Sequence, residues 1–294
     1  MKSGFVTIVG RPNVGKSTLL NSIMNKKVAI TSDKSGTTRN IIKGIYTDQD
    51  YQIIFIDTPG IHKAQDKLGR ILNKEAYFSM DDVNVILFVV DITKKLGNGD
   101  KFIIDTFKNY KAPVILVINK IDKVRHEDIL KTIDSYKDLY DFEEIIPVSS
   151  LKNNNVSDVI ETLKKYMTDD ILYYPQEQQD DNTPEFLISE LIREKILILT
   201  HQEVPHTVTC KVDNIEESDS VISIQATIIV ERESIKRIIV GHRGSMIKQI
   251  GMQARSDIEK VFGKKVYLDL FVKVVEDWRS KDSFLNEIGF KDFN

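Results

Sequence analysis

Directly behind the apolar run Phe5 to Val9, the residues Gly10-Arg11-Pro12-Asn13-Val14-Gly15-Lys16-Ser17 fit the spacing G-x-x-x-x-G-K-S. Glycines at both ends let such a loop wrap tightly, so that successive backbone N–H groups and the start of a following helix point at one anion. Lys16 adds a mobile cation for the terminal phosphates of a nucleotide, and the Ser17 hydroxyl is the expected magnesium ligand. Gly10, Asn13, Val14, Gly15 and Thr18 complete the expected phosphate contacts. A glycine-rich turn with a surface lysine fits the bare pattern as well, and segments further along the chain decide between the two.

Phe55-Ile56-Asp57-Thr58-Pro59-Gly60 ends an apolar run that begins at Tyr51. An acid at the tip of a core strand can reach magnesium through water, and Gly60 leaves its N–H free to approach a γ-phosphate. Asp, Pro and Gly are also what any strand-ending turn needs; it is their place after the phosphate loop that favours the chemical reading. Asn119-Lys120-Ile121-Asp122 follows the strand-like run Val114 to Ile118. A carboxylate at Asp122 can accept from the ring N–H and the exocyclic amine of guanine, a donor pair that adenine lacks, and this selects GTP over ATP. Asn119 is expected to brace the loop and touch the base, while the stem of Lys120 covers the ring face and its ammonium stays wet. Ser149-Ser150-Leu151, after the run Glu143 to Val148, is placed to offer a backbone N–H to the guanine carbonyl.

With these segments the chain resembles the Era family of GTPases. Asn13 within the phosphate loop and Gly36-Thr37-Thr38-Arg39 are similar to motifs of its wider relatives. The resemblance implies that a switch threonine joins Ser17 and Asp57 at magnesium; Thr38 is the choice and Thr37 the alternative, because the pair leaves the register open. Two positions depart from the family: Ser35-Gly36 stands where Pro-Gln is usual, and Ser150 replaces an alanine. Water activation is a separate matter. Many GTPases carry a glutamine after Asp-x-x-Gly to orient the attacking water, and here that position is Ile61, followed by His62. Relatives with this loop use the asparagine to hold potassium beside the phosphates, so the resemblance implies Asn13, Lys16, Thr38 and Gly60 as the catalytic set, with GTP or GDP, magnesium and potassium as ligands.

The elements that must position these residues follow from hydrophobic period. Up to residue 168, short β-branched runs (Phe5 to Val9, Ile53 to Ile56, Val83 to Val90, Val114 to Ile118, Ile145 to Val148) alternate with segments of helical period. This is the α/β pattern of a mostly parallel sheet between helical layers. Residues 169–184 lack both periods and read as a connector. From residue 185 to residue 294 the order is helix, two alternating strands, helix, Gly241-His242-Arg243-Gly244, helix and strand, which resembles an α+β type II KH domain. KH domains clamp a single-stranded RNA backbone with such a loop. Gly241, His242, Arg243, Gly244 and Lys248 are therefore the candidate RNA contacts. Trp278 reads as a packing anchor.

The 294 residues carry a net charge of −3, which by itself argues against nucleic acid, but the balance is local. Between Glu231 and Lys265 stand nine basic residues against four acidic ones. The single cysteine, Cys210, permits no internal disulfide and fits a reducing compartment. No apolar run approaches the length of a membrane span, and the first strand begins too early to leave room for a signal peptide. A cytoplasmic monomer is expected. The family likeness adds ribosomal RNA near the 3′ end of 16S rRNA, a role in small-subunit maturation, and peripheral contact with the cytoplasmic face of the membrane, for which the sequence shows no amphipathic anchor. A rival reading is a nucleotide-gated scaffold whose KH-like domain binds protein; an ATP-dependent kinase is a second, opposed by Asp122.

Overall fold

The computed structural model describes residues 1–34, 36–202 and 204–290, so Ser35, one of the family departures, lies outside the described residues. They form two compact units. Residues 1–31, 38–64 and 72–181 make the first, and residues 32–37 and 65–71 group with the chain from Asn182 onward in the second.

Up to residue 181 the chain alternates strands and helices: β1 (Lys2–Val9), α1 (Lys16–Met24), β2 (Ile42–Thr47), β3 (Tyr51–Asp57), α2 (Lys67–Phe78), which belongs to the first unit from Leu72 on, β4 (Val85–Asp91), α3 (Asn98–Thr106), β5 (Val114–Asn119), α4 (His126–Tyr136), β6 (Glu144–Pro147) and α5 (Val156–Lys164). The sheet order is β2-β3-β1-β4-β5-β6. All neighbours are parallel except β2 and β3. β4 and β5 are buried at every position, which is why they read as unbroken apolar runs: a parallel strand covered on both faces has no polar side to show. Chain connections leave β1 in opposite directions, to β3 on one side and β4 on the other, so the loop after β1 lies at the crevice where such sheets bind ligands.

The edge strand β2 has no clear counterpart in the apolar pattern. It is held as a hairpin to β3, with the Asp48 carboxylate accepting from the N–H groups of Asp50 and Tyr51 at 3.0 and 2.8 Å. The stretch read as a connector is fixed to this unit as far as residue 181. Asp169 bridges to Ser3 and Asp180 to Gly44, and the Gln52 side chain accepts from the N–H groups of Tyr173 and Tyr174 at 2.9 and 3.0 Å. A segment without period can still be ordered when a buried amide satisfies its backbone.

The second unit runs α6 (Pro184–Leu199), α7 (Val204–Thr207), β7 (Val208–Glu217), β8 (Val221–Val230), α8 (Glu233–Val240), α9 (Ser245–Phe262), β9 (Lys265–Val274) and α10 (Asp282–Glu287). Thr183 caps α6 by accepting from the Phe186 N–H at 3.3 Å, with Pro184 at the first helical position, where its missing donor costs nothing. β8 is the middle strand, antiparallel to β7 and parallel to β9. Ile188, Leu191, Ile192 and Ile196 of α6 and Ile250, Ala254 and Ile258 of α9 bury against Ile224, Ala226 and Ile228 of β8. Trp278 is wholly buried and its indole N–H donates to the Thr207 carbonyl at 3.0 Å, the packing role expected of it. Cys210 is half-buried against the same core. Among the described residues no helix is long and apolar enough to cross a membrane.

Candidate functional site

The turn between β1 and α1 curls around the Lys16 side chain, which is almost fully buried and whose Nζ lies 3.3 Å from both the Gly10 and Arg11 carbonyls. Asn13 adopts φ 66° and Gly15 φ 101°. At Gly15 any side chain is excluded twice over, by the left-handed backbone and because a Cβ would stand 2.2 Å from Nδ2 of Asn119. Burial pushes the Lys16 amine down to about 8, against the pull of Asp57. A triphosphate beside it would raise that value again.

Ser17, Thr38 and Asp57 converge at the mouth of this loop. The Ser17 hydroxyl donates to Asp57 Oδ2 at 2.6 Å and lies 2.8 Å from Thr38 Oγ1. Thr37, the alternative, turns away: its hydroxyl donates to the Lys34 carbonyl at 2.6 Å and lies 2.8 Å from Ser32 Oγ. Asp57 Oδ1 is buried with no hydrogen-bond partner. Two hydroxyl oxygens and an orphaned carboxylate oxygen in one place are the hard oxygen donors that magnesium takes, so the residues fit the ion that the sequence implies. Burial pushes the Asp57 carboxyl up to about 6, although Lys16, the Ser17 hydroxyl and the Thr58 N–H all favour its ionised form.

Gly60 packs flat against Pro12. Ile61, at the glutamine position, is buried in the core beside Val9, Phe88 and Ile103, and its N–H donates to the Gly10 carbonyl at 3.2 Å. His62 Nδ1 lies 2.8 Å from the Gly60 carbonyl. Neither side chain is presented as a group for handling water.

The base-selecting loop is locked to the phosphate loop. Asn119 Nδ2 donates to the Val14 carbonyl at 2.9 Å, and its Oδ1 accepts from the Lys120 N–H, the Ser150 N–H and the Ser150 hydroxyl at 2.8, 3.1 and 2.9 Å. The family's alanine could not make the last of these bonds. Lys120 Nζ donates to the Asn13 carbonyl at 2.7 Å, so its ammonium is held as well as wet. The Ser149 hydroxyl donates to the Asp122 carboxylate. Leu151 is exposed, and Thr18 is half-buried in the first turn of α1. One participant was not anticipated: Asp91, which receives Lys120 Nζ at 2.6 Å. An acid closing a buried strand is the signal that singled out Asp57, and Asp91 carries it too.

In the second unit, Gly241 and Gly244 take φ 72° and 78° and Arg243 φ 50°, so the loop between α8 and α9 is a left-handed turn that ends at the N-terminus of α9. His242, Arg243 and Lys248 are exposed. Beside them runs a groove of about 320 Å³ between α9 and β9, with Ile247, Gly251, Met252, Arg255, Tyr267 and Leu270 among its walls. Backbone N–H groups and cations at one end, and an apolar wall carrying an exposed tyrosine along its side, can hold a phosphate backbone and its bases. Met252 and Tyr267 were not singled out from sequence, because which side of α9 and β9 remains open depends on packing.

Comparison with known proteins extends these geometries over the whole chain. Residues 5–120 match the family model described as a 50S ribosome-binding GTPase, and residues 203–279 match the KH domain. A crystal structure of Era in complex with magnesium–GDPNP and nucleotides 1506–1542 of 16S ribosomal RNA is 40% identical, with 99% of each chain covered and a TM-score of 0.95. The chain belongs to the Era family. A variant of Aquifex aeolicus Era bound to GDP and aluminium fluoride is 39% identical, also with 99% of each chain covered, at a TM-score of 0.94. The family expectation from sequence is thereby met in fold, in the GTPase class and in the KH domain of this Era-family chain.

Two outcomes test the site. Asp122→Asn should move base preference from GTP toward xanthosine triphosphate, since an amide donates where the carboxylate accepted; a folded variant that still prefers GTP in competition assays refutes the base contact. Magnesium retention in the nucleotide complex should weaken as pH falls through about 6, because protonating Asp57 removes its capacity to accept from the ion's shell. Asp57→Asn should abolish that pH dependence, and magnesium titrations from pH 5 to 7.5 measure it against the nucleotide's own titration.

Proposed function

We propose that this Era-family chain is a GTP-hydrolysing switch that clamps single-stranded RNA near the 3′ end of 16S rRNA and assists small-subunit assembly. The observation that carries the reading is the joining of base recognition to phosphate recognition: Asn119 and Lys120 hold the carbonyls of Val14 and Asn13, so guanine selection and the phosphate loop form one rigid body. The likeness to an Era bound to magnesium–GDPNP and 16S rRNA supports the ligand classes. Residues 1–168 act as the GTPase domain, 169–184 as the join, and 185–294 as the KH domain with its tail. A cytoplasmic monomer is part of the same proposal. Peripheral membrane contact rests on the family alone.

In this assignment Gly10, Asn13, Val14, Gly15, Lys16 and Thr18 bind the phosphates, and Asn119, Lys120, Asp122, Ser149, Ser150 and Leu151 enclose the base. Ser17, Thr38 and Asp57 would hold magnesium, partly through water, and Gly60 would donate its N–H to the γ-phosphate. Ile61, at the glutamine position, is in the core and carries no group that could orient water. Asn13 is exposed on the loop, and its amide oxygen is a neutral hard donor suited to potassium. A potassium ion there supplies positive charge where negative charge develops on the phosphates. Intrinsic turnover should be slow, on the order of 10⁻⁴ to 10⁻² s⁻¹, as for GTPases lacking full activation. It should be faster in potassium than in sodium at matched ionic strength, and Asn13→Ala should remove the difference; equal rates in both salts for the unaltered protein defeat the potassium role.

For RNA the useful variant is Gly244→Asp read against Gly244→Asn, which carries the same backbone strain at φ 78° without the charge. A Cβ there meets nothing within 4 Å, whereas one at Gly241 would stand 2.7 Å from Met246, so a Gly241 variant confounds charge with a steric clash. Gly244→Asp should weaken binding of an RNA with the 16S 3′-end sequence at least tenfold and leave GTP affinity unchanged. Unaltered RNA affinity, or binding without a salt slope, would favour the scaffold reading, in which the KH unit docks protein.

A further inference from the structure

Asp91 is the last residue of β4 and is nearly inaccessible, its side chain 5% exposed. Both carboxylate oxygens are committed. Oδ1 accepts from the Thr93 N–H at 2.9 Å and the Thr93 hydroxyl at 2.7 Å, while Oδ2 receives Lys120 Nζ at 2.6 Å. Burial pushes the carboxyl up, but the bonds from Lys120 and Thr93 outweigh it and hold the group below the ordinary carboxylate range. The acid is therefore charged wherever the protein is folded near neutrality, and it is paired with the Lys120 ammonium.

That cation bridges two strained turns. Lys120 has φ 69° and its ammonium reaches the carbonyl of Asn13, itself at φ 66°. Non-glycine residues in this region cost free energy that surrounding contacts must offset. A lysine side chain is long and rotamer-rich, and one carbonyl would not confine it. A buried anion on its far side does, because a charge-assisted bond is about twice as strong as a neutral one. The two bonds fix Lys120 Nζ between β4 and the phosphate loop and so fix where its aliphatic stem lies.

We propose that Asp91 is a positioning residue for nucleotide binding, acting through Lys120: it sets the lysine stem against the base and holds the Asn13 turn of the phosphate loop in its phosphate-accepting shape. The proposal rests on the guanine-nucleotide reading of this site. Asp91 acts through Lys120, and its effect is read on retention of the nucleotide.

The substitution Asp91→Asn isolates the link. The Thr93 N–H and hydroxyl keep an acceptor oxygen at the Oδ1 position, so the amide nitrogen falls opposite Lys120 and two donors face each other. The β4 turn is preserved while the grip on the lysine is lost. Release of a fluorescent GDP analogue from the full chain, chased with unlabelled GDP, is measured for the unaltered protein, Asp91→Asn, Lys120→Met and the double variant. Asp91→Asn should release the analogue about tenfold faster. The double variant should be no faster than Lys120→Met, since without the ammonium the carboxylate has nothing to hold. KM for GTP should rise. Asp91→Ala, which removes the anion without adding a donor, is the second variant, and it should match Asp91→Asn. Release at the unaltered rate in both variants overturns the proposal, as does a double variant faster than Lys120→Met by the full factor of Asp91→Asn alone, or a fall in kcat with KM unchanged. Failure of the unaltered chain to retain the GDP analogue at all would instead reject the guanine-nucleotide reading beneath it.

Discussion

The phosphate loop cannot hold its own shape. It contains turns in the left-handed region at Asn13 and Gly15. Its carbonyls find donors in residues more than a hundred positions away in the chain: Asn119 to the buried Val14 carbonyl and Lys120 to that of the exposed Asn13. The rest of the first unit follows from this requirement. β5 must lie two strands from β1 with β4 between them, so that the end of β5 overhangs the loop after β1, and the observed strand order does this. Asp91 closes the arrangement from the end of the intervening strand.

Electrostatics in the same site run opposite to ordinary surface behaviour. Burial lowers Lys16 to about 8 and raises Asp57 to about 6, so each charge is disfavoured by its surroundings and only partly supported by the other. A structural pair under these conditions is a poor source of stability. A binding pair is another matter: a polyanion beside Lys16 and a divalent cation beside Asp57 supply the missing counter-charges, and the desolvated setting makes those attractions strong. The orphaned Asp57 oxygen fits that use better than any role in the fold.

The second unit solves a different problem with similar parts. An exposed glycine-bracketed turn ends at a helix N-terminus, as the phosphate loop does, but its surroundings are open and basic. The first loop curls around a single buried lysine, Lys16, which suits one small anion. The second lies at the end of a groove along α9 and β9 that a chain can enter and leave, which suits a continuous polyanion.

Much of this was legible from local spacing. The motifs at Gly10 to Ser17, Asp57 to Gly60 and Asn119 to Asp122 are short because backbone N–H groups, one cation and one carboxylate do their chemistry within a few residues, and the parallel strands announce themselves because burial on both faces leaves only apolar residues. The order of elements around Gly241 to Gly244 was readable for the same reason. Tertiary structure alone decided what depends on the direction of a side chain or on a distant partner. It turned Thr38 toward Ser17 and Thr37 away, where the sequence offered both. It sent Ile61 into the core, pinned residues 169–181 with two backbone bridges and a buried glutamine, and made Gly241 sterically unlike Gly244. It also brought Asp91 to Lys120 across 29 positions of chain. Hydrophobic period and motif spacing describe neighbours along the chain, and these outcomes were set by neighbours in space.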